Sequence, residues 1–290
     1  MNRLVVVGDL NLDVCIRGAA PIVAGDERRE VVRAEPGGSA ATFARVASSH
    51  GASVTFIGSV GTDGVGDLLI RSLQDAGVRP LVRRVGMRSG VVVSMQRDRE
   101  RSMICSRGAN DGLSVDDAAR AALCGARHLH ASGYAFLSPR QRPHVLELLA
   151  LARQQGLSIS VDPPPANLIR SFGREEFLVA IADASWIFPN RSEGMLLTGE
   201  RDPETVVEWL VERFPVGALT LGAQGALAWK ERARSRLHES SALDVDSTGA
   251  GDAYAAGFCV TLLDDGDLAR ANAVGCAAAR EHMLRRPLSA

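Results

Sequence analysis

A seven-residue segment, Asp-Ser-Thr-Gly-Ala-Gly-Asp at positions 246–252, has the composition of a site that handles a charged group. It is followed at once by a small apolar run at 253–258, which predicts a helix beginning near Asp252. Free N–H groups at a helix start, together with the helix dipole, form a binding site for an anion. Asp252 then lies where a phosphoryl group would arrive, and its carboxylate is a candidate base. A glycine turn with a helix-capping Asp is the alternative for this segment taken alone.

Three further polar segments each come close after a predicted strand. Residues 8–13 supply two acids and an amide, residues 36–42 form a glycine turn that leads into a helix, and residues 58–64 follow the next strand. Ligands of an open parallel sheet bind at the carboxyl ends of its strands. Carboxylates and amides suit a ligand with many hydroxyl groups, because they offer both donors and acceptors. Each segment alone is equally typical of an ordinary turn.

Two motifs in the second half of the chain fit a metal and a nucleotide. Asn190 and Glu193 are spaced to face one side of a helix start, and such oxygen ligands suit Mg²⁺ with water molecules in between. A helix cap with a first-turn acid is the alternative. The stretch 220–225, Thr-Leu-Gly-Ala-Gln-Gly, ends a predicted strand, and its glycines allow the backbone to approach a nucleotide. An ordinary β-turn is the alternative there.

Other common catalytic patterns are missing from the sequence. The six histidines show no metal-ligand spacing, and neither G-x-S-x-G nor G-x-x-x-x-G-K-[ST] occurs. The turn after the first predicted strand lacks the glycine spacing of a dinucleotide-binding fingerprint, which disfavours an NAD-dependent oxidoreductase.

The predicted strands and helices that position these residues alternate along the chain. This alternation predicts a doubly wound α/β fold, with a mostly parallel sheet covered by helices on both faces. A capping box of Ser114 with Asp117 is expected to begin the third helix. The predicted strands are 4–7, 53–57, 127–130, 158–161, 185–188 and 217–221, and the predicted helices lie around 39–50, 64–76, 115–124, 140–155, 203–214 and 267–284.

Two segments interrupt this alternation. Residues 10–35 contain strand-like runs at 14–17 and 30–34 without a helix between them, and residues 88–107 contain runs at 89–96 and 101–106 joined by a charged turn. We expect the two insertions to pair into a small β-sheet that forms a lid on the main sheet; separate surface hairpins are the alternative. No repeat or linker divides the chain, so a single domain is expected over 1–290.

The bulk composition describes a soluble protein. With 290 residues, of which 46% are hydrophobic, the chain can bury a large core. The net charge of −1 gives no sign of binding to nucleic acid or to a membrane surface, and no apolar run approaches the length of a membrane span. The five cysteines are odd in number and widely spaced, which favours reduced thiols and a cytoplasmic location.

Taken together, the motifs resemble those of the ribokinase or PfkB family of small-molecule kinases over nearly the whole chain. Segment 246–252 is similar to the family signature D-T-x-G-A-G-D, and Gly37, Gly38, Gly51 and Gly61 match the spacing of its N-terminal signature. The other matching motifs are N-x-x-E, here Asn190 and Glu193, and T-x-G-x-x-G, here Thr220, Gly222 and Gly225.

The resemblance implies a doubly wound α/β domain with a small β-sheet lid. It also implies transfer of the γ-phosphoryl group of ATP to a hydroxyl, a CH₂OH group of a sugar. Asp252 would accept the hydroxyl proton, and the backbone N–H groups of Gly249, Ala250 and Gly251 would stabilise charge on the transferred group.

The resemblance further implies how the ligands are held. Mg²⁺ would be held by Asn190 and Glu193, mostly through water. Asp246 and Thr248 match part of a site for a monovalent cation, K⁺, whose C-terminal part has no clear counterpart in 284–288. Substrate hydroxyls would contact Asp9, Asp13, Gly37, Gly38 and Ser39, and the nucleotide would contact Thr220, Gly222, Gly225 and Asn272.

The chain departs from the family pattern near the expected substrate. Thr42 stands where the G-G-x-x-x-N turn usually has Asn, and 162–165, Asp-Pro-Pro-Pro, replaces a D-x-N-x-R segment. Arg107, at the end of the second insertion, is a candidate to meet a carboxylate or phosphate on the substrate. A solvated arginine at the lid edge is the alternative.

Two other functions stay open at this point. A nucleoside kinase of adenosine or pseudouridine type would share the phosphoryl-transfer residues and differ in the pocket. A non-catalytic sugar-binding protein would keep the fold without turnover. Exposed lid strands would also allow a homodimer, because pairing such strands buries their free edges.

Overall fold

The computed structural model describes residues 2–17, 25, 27, 29–97, 100–238 and 247–285 as two β-sheets with helices around the larger one. In chain order the strands are β1 (Arg3–Val7), β2 (Asn11–Arg17), β3 (Val31–Gly37), β4 (Ser53–Gly61), β5 (Arg79–Val85), β6 (Gly90–Arg97), β7 (Glu100–Ser106), β8 (His128–Ser132), β9 (Ser158–Asp162), β10 (Trp186–Ile187), β11 (Val216–Thr220), β12 (Ala226–Lys230) and β13 (Ala233–Leu237). The α-helices are α1 (Ser39–Ser49), α2 (Gly64–Asp75), α3 (Asp117–Leu123), α4 (Tyr134–Leu137), α5 (Arg142–Gln154), α6 (Ala166–Phe172), α7 (Arg174–Ala180), α8 (Arg191–Thr198), α9 (Pro203–Val211), α10 (Ala250–Asp265) and α11 (Leu268–Leu284).

The large sheet is doubly wound. Its nine strands lie in the order β13-β12-β11-β10-β9-β8-β1-β4-β5, and all pairs from β11 to β5 are parallel, whereas β12 and β13 are antiparallel additions at one edge. The chain first moves from β1 towards β5 and later from β8 towards β11. The switch of direction therefore lies between β1 and β8, where an open α/β sheet forms its ligand crevice.

Both faces of the sheet are buried, as the sequence of β1 illustrates. Leu4 and Val6 pack into one hydrophobic core, together with residues of α1, α2, α10 and α11. Val5 and Val7 point to the opposite face, where they join a second core with residues of α3, α5, α7 and α9. Side chains of a strand alternate between faces, so a strand covered on both sides needs a continuous apolar run.

A separate four-stranded sheet comes from the two predicted insertions. Its order is β3-β2-β6-β7, with β2 and β6 parallel and the two outer pairs antiparallel. Together with the doubly wound large sheet, it confirms the predicted fold class. Parts of the expected insertions, 18–24, 26, 28, 98 and 99, lie outside the described residues.

Several elements differ from the sequence-based expectations. Strands β5, β12 and β13 were not predicted, because β5 contains Pro80 and Arg residues, β13 is polar, and β12 contains two alanines and no β-branched residue. β5 and β13 are the two edges of the sheet, where proline and charged side chains are tolerated. The expected Ser114–Asp117 capping box is wrong, because Asp116 caps α3 by accepting a 2.8 Å hydrogen bond from the Ala119 N–H.

The lengths of the helices, the arrangement of possible metal ligands and the state of the cysteines complete the description of the fold. Within the described residues, no helix combines the length and the apolar character needed to cross a membrane. The same part of the chain holds no group of three or more His, Cys, Asp or Glu side chains arranged to hold a metal ion. All five cysteines are free thiols.

Candidate active site

A cavity of about 760 Å³ lies at the carboxyl edge of the large sheet and is bounded on one side by the small sheet. It is large enough for a nucleotide together with a small second substrate. Residues that end or closely follow five parallel strands line it, namely Asp9, Ser132, Asp162, Asn190 and Thr220. The topology of the sheet therefore brings together the polar residues that the sequence placed after separate strands.

The start of α10 lies at this cavity. Gly249 occupies the helix N-cap with φ of 79°, a left-handed conformation that favours glycine, and no side chain caps the helix. Gly249, Gly251 and Asp252 line the cavity, whereas the Ala250 N–H donates to the carbonyl oxygen of Ser247 at 3.1 Å. The first-turn N–H groups that have no acceptor within the helix are available to a ligand.

Asp252 is held in place from another part of the chain. It is only 8% exposed, and its Oδ1 accepts a 2.6 Å hydrogen bond from Ser39 Oγ at the start of α1. Ser132 at the end of β8 donates in turn to Ser39 Oγ at 3.1 Å. Burial raises the pKa of Asp252, while hydrogen bonds from Asp162 and Ser39 and the positive charges of His282 and Arg45 oppose this rise. A carboxylate with a raised pKa is a better proton acceptor.

Two further carboxyl groups face Asp252. Asp162 is hydrogen-bonded to Asp252, and burial together with the negative charges of Asp252 and Glu193 raises the pKa of Asp162 well above its usual value. Carboxyl groups in contact cannot both be ionised easily, so this pair shares a proton. Burial raises the pKa of Glu193 to about 8. A cation bound near these acids would favour their ionised forms.

Asn190 and Glu193 form a capping box at the start of α8. The Asn190 side chain accepts from the Glu193 N–H at 3.0 Å, and Glu193 Oε2 accepts from the Asn190 N–H at 2.9 Å. The structural alternative considered for this motif is therefore present. Both residues also line the cavity, which leaves a role in metal binding open. A desolvated carboxyl beside other acids fits Mg²⁺ held through water, since this ion usually keeps several waters.

Gly37 and Gly38 let the chain pass close to the substrate-facing acids. A Cβ on Gly37 would overlap the Asp13 carboxylate, and a Cβ on Gly38, whose φ is 101°, would overlap the backbone carbonyl oxygen of Asp9. Asp13, Gly37, Gly38 and Ser39 all line the cavity. The structure thus brings these predicted substrate residues to one wall, although Ser39 uses its hydroxyl on Asp252.

Asp9 and Arg107, both predicted to contact substrate, bind each other. Arg107 donates from Nη1 and Nη2 to the two carboxylate oxygens of Asp9 at 3.0 and 3.2 Å, and from Nε to Asp111 at 2.8 Å. Gln141, which is fully buried, bridges Arg107 and Asp9. The guanidinium charge is thus balanced by two carboxylates inside the protein. This ion pair was not predicted, because its partners are 98 residues apart.

The four residues predicted to bind the nucleotide do not all lie at the cavity. Thr220 lines the cavity. Gly222 begins the short helical turn that follows it and Gly225 comes directly after that turn, with φ of 60° and 85°. Asn272 on α11 is fully buried. Its Oδ1 accepts a hydrogen bond from the Tyr254 hydroxyl at 2.7 Å, and its Nδ2 donates to the Ser235 carbonyl oxygen at 3.1 Å. The structure therefore places Asn272 in a buried hydrogen-bond network and away from the cavity lining.

The proposed site for a monovalent cation is described in part. Asp246 lies outside the described residues. The Thr248 carbonyl oxygen is 3.1 Å from His282 Nε2, so a side chain already contacts this potential ligand. Sequence reasoning missed His282, Asp162 and Ser132 as site residues. Only Asp162 and Ser132 had a usable signal, since each lies at or just after the end of a predicted strand.

Comparisons with known proteins agree with this geometry. The chain matches the model of the pfkB family carbohydrate kinases over residues 1–286. It is 31% identical over 277 residues to the ATP-dependent ribose-1-phosphate kinase of Halopiger xanaduensis, an alignment that covers 93% of this chain and 88% of that protein.

Solved structures share the fold. Adenosine kinase from Sinorhizobium meliloti superposes with a TM-score of 0.87 at 23% identity, covering 99% of this chain and 96% of that one. A putative ribokinase II from E. coli, solved in complex with ATP and Mg²⁺, gives 0.86 at 21% identity, with 99% and 94% covered. The chain thus belongs to the pfkB family of carbohydrate kinases and is an ATP-dependent phosphotransferase whose acceptor is an alcohol group of a sugar.

Proposed function

We propose that Asp252 is the base of this phosphoryl transfer and that the start of α10 is its anion hole. The observation that carries the proposal is the position of Asp252 in the first turn of α10, on the cavity wall and bonded to Ser39. The Asp252 carboxylate takes the proton of the substrate hydroxyl while its oxygen forms a bond to the γ-phosphorus of ATP. The bond from that phosphorus to the β–γ bridging oxygen breaks, and ADP leaves.

The backbone around Gly249 and Gly251 would receive the transferred group. N–H groups in the first turn of α10, aided by the helix dipole, would donate to its oxygens where negative charge is concentrated. Because these donors belong to a helix that packs on α1 and α11, they are fixed before the substrate binds.

We also propose a Mg²⁺ site, because the acidic side chains of Asp162 and Glu193 lie near Asp252. Glu193 and Asn190 would hold the ion through water, with Asp162 beside them. When bound, Mg²⁺ neutralises charge on the phosphate oxygens of ATP. A monovalent cation at Asp246 and Thr248 is a further proposal. It would share the Thr248 carbonyl with His282, since a carbonyl oxygen has two lone pairs.

For the substrate we propose a sugar or sugar phosphate held by its hydroxyl groups. Asn11 and Asp13 on β2 face the cavity together with Gly37 and Gly38, and they supply carboxylate and amide partners for several hydroxyls. The ATP-dependent ribose-1-phosphate kinase named above acts on ribose 1-phosphate, so this compound belongs among the candidates. ATP would occupy the part of the cavity near Thr220, Gly222 and Gly225.

The small sheet would act as a lid and as the contact of a homodimer. Val32 on β3 and Ile104 on β7 are 57% and 64% exposed on the two outer strands, and pairing two such sheets would bury them. We also propose that the whole chain is one domain, located in the cytoplasm, with no nucleic-acid or membrane partner.

The first test is ADP release with Mg-ATP across a panel of acceptors. The panel holds ribose, ribose 1-phosphate, fructose, fructose 6-phosphate, 2-keto-3-deoxygluconate, adenosine and pseudouridine, with Asp252→Asn as the matched control. We expect one compound of the sugar class to raise ADP release far above the control. Turnover by Asp252→Asn at the wild-type rate would contradict the assignment of the base, and adenosine or pseudouridine as best acceptor would contradict the assignment of the substrate. Exchange of sodium for potassium chloride tests the monovalent cation.

A further inference from the structure

His282, near the C-terminal end of α11, lies directly against the turn that precedes α10. Its Nε2 is 3.1 Å from the carbonyl oxygen of Thr248. The ring also covers Gly249, because a Cβ at that position would come within 2.7 Å of Nε2. His282 lines the same cavity as Asp252 and acts to lower the pKa of that carboxyl.

The hydrogen bond to Thr248 fixes the state of the ring. A carbonyl oxygen only accepts, so Nε2 must carry the hydrogen and donate it. With this bond the side chain restrains Thr248, the residue immediately before the N-cap Gly249. The position of Gly249 in turn sets where the first N–H groups of α10 point.

The helix that carries His282 is a rigid support. α10 and α11 pack closely because small residues lie between them: a Cβ on Gly257 would come within 3.0 Å of the Ala278 Cβ, and one on Gly275 within 2.9 Å of the Tyr254 ring. His282 is one turn beyond Ala278 on α11. The turn at Thr248 and Gly249 is therefore held by both helices of this pair. Its chain continues directly into α10, and the His282 imidazole of α11 contacts the Thr248 carbonyl oxygen.

We propose that His282 is a positioning residue of the phosphoryl transfer, whose Nε2–H holds the Thr248 carbonyl and thereby aligns the Gly249–Gly251 backbone with Asp252. The inference rests on the proposed function of that backbone as the anion hole. His282 acts through the turn and takes no proton from the substrate. Its contribution should appear in kcat, because alignment of the donors matters most when charge develops on the transferred group.

The test compares a variant that keeps the donor with variants that lose it. Glutamine carries an N–H at a similar distance from the backbone, whereas leucine fills part of the same volume without one. We expect His282→Leu to lower kcat about 10- to 100-fold, as small misplacements in active sites do, with KM for ATP and for sugar changed less than about threefold. His282→Gln should stay within about fivefold of the wild type. His144→Leu, which replaces a partly exposed histidine on α5, is the matched control.

A second variant keeps the test valid if His282→Leu does not fold. Added imidazole should raise kcat of His282→Ala and leave wild type unaffected, because the small ring can enter from the cavity. Equal losses in the Gln and Leu variants, or unchanged kcat in His282→Leu, would overturn the role of the N–H. Asp252→Asn measured in parallel separates this failure from that of the proposed function, because wild-type turnover by Asp252→Asn would contradict the assignment of the base whatever the His282 variants show.

Discussion

The hydroxyl of Ser39 and the carboxylate of Asp252 are joined by a 2.6 Å hydrogen bond across 213 residues of sequence. Ser39 is the first residue of α1, and Asp252 lies in the first turn of α10, so the bond joins the starts of two helices. It fixes the direction of Oδ1, and the Asp162 carboxyl is also hydrogen-bonded to Asp252. The orientation of the proposed base is thus determined by α1 and not by its own helix alone.

Removal of this hydroxyl should weaken the reaction more than the binding. We expect Ser39→Ala to lower kcat about tenfold, because a base that rotates away from the substrate spends less time in the reactive geometry. Steady-state kinetics with the best acceptor measure the effect. Ser72→Ala is the control, since that hydroxyl only bonds to Leu69 within α2. Equal kcat in Ser39→Ala and wild type would contradict an orienting role.

The glycine before α1 should not tolerate a side chain. Gly38→Ala places a Cβ against the Asp9 carbonyl oxygen at a φ of 101°, so we expect a loss of about 1–3 kcal/mol in the free energy of unfolding and a higher KM for the sugar. Gly64→Ala is the matched control, because among the described residues no atom beyond its own chain neighbours and helix backbone lies within 4 Å of the added Cβ. Denaturant titration measures the free energy of unfolding of both variants, and steady-state kinetics measure their KM for the sugar. A Gly38→Ala variant as stable as Gly64→Ala would show that the turn can relax.

The ion pair of Asp9 with Arg107 should matter for stability. Arg107→Met leaves a nearly buried carboxylate with Gln141 as its remaining partner, and we expect the free energy of unfolding to fall by about 2–4 kcal/mol. Arg120→Met, which removes a more exposed pair with Glu147, should cost less than about 1 kcal/mol.

A double-mutant cycle separates this pair from simple loss of packing. Asp9→Asn combined with Arg107→Met should be less destabilised than the sum of the single variants, by about 0.5–3 kcal/mol. Strict additivity of the two free-energy changes would mean that the contact contributes nothing of its own.

Two buried histidines should make stability depend on pH. His128 is hydrogen-bonded to Ser158 and Ser160, and burial lowers its pKa from 6.5 to about 3; burial lowers the pKa of His130 as well. As the pH falls below 6.5, the unfolded chain takes up protons that the folded protein excludes. Each histidine therefore lowers the free energy of unfolding by about 1.4 kcal/mol per pH unit, down to its folded pKa.

His128→Gln tests this dependence. Urea titrations between about pH 5 and 6.5 should show a shallower loss of stability in the variant than in the wild type. His238→Gln, at an exposed position, should keep the wild-type slope. The same slope in His128→Gln and wild type would mean that His128 is protonated in the folded protein.

Replacement of Glu193 should raise the magnesium requirement. We expect Glu193→Gln to need about tenfold more Mg²⁺ for half-maximal activity, because bound Mg²⁺ would favour the ionised form of Glu193 and glutamine cannot ionise. Titration of Mg²⁺ at fixed ATP measures the shift, with Glu175→Gln on the exposed side of α7 as control. An unchanged Mg²⁺ dependence would leave Glu193 with the capping of α8 alone.

The sequence itself determined the frame of this protein. Apolar runs such as 4–7, which are buried on both faces, predict the parallel strands, and the amphipathic segments between them predict the covering helices. Since ligands gather at strand ends in such a sheet, the sequence also indicated Asn190 and Thr220 as residues of one ligand site, and it indicated Asp252 from the glycine-rich start of its helix. These inferences succeed because they use only short-range periodicity and one topological rule.

Only the tertiary structure decided how the side chains are used. Asp9 turns to Arg107, Ser39 to Asp252, and His282 to Thr248, and each of these partners is at least 34 residues away in sequence. Such pairs depend on how helices and loops pack in three dimensions, and no local pattern records that packing. Asn272 is the opposite case, because the family resemblance predicted a contact with the nucleotide. In the structure its side chain is buried on α11 and forms hydrogen bonds inside the protein.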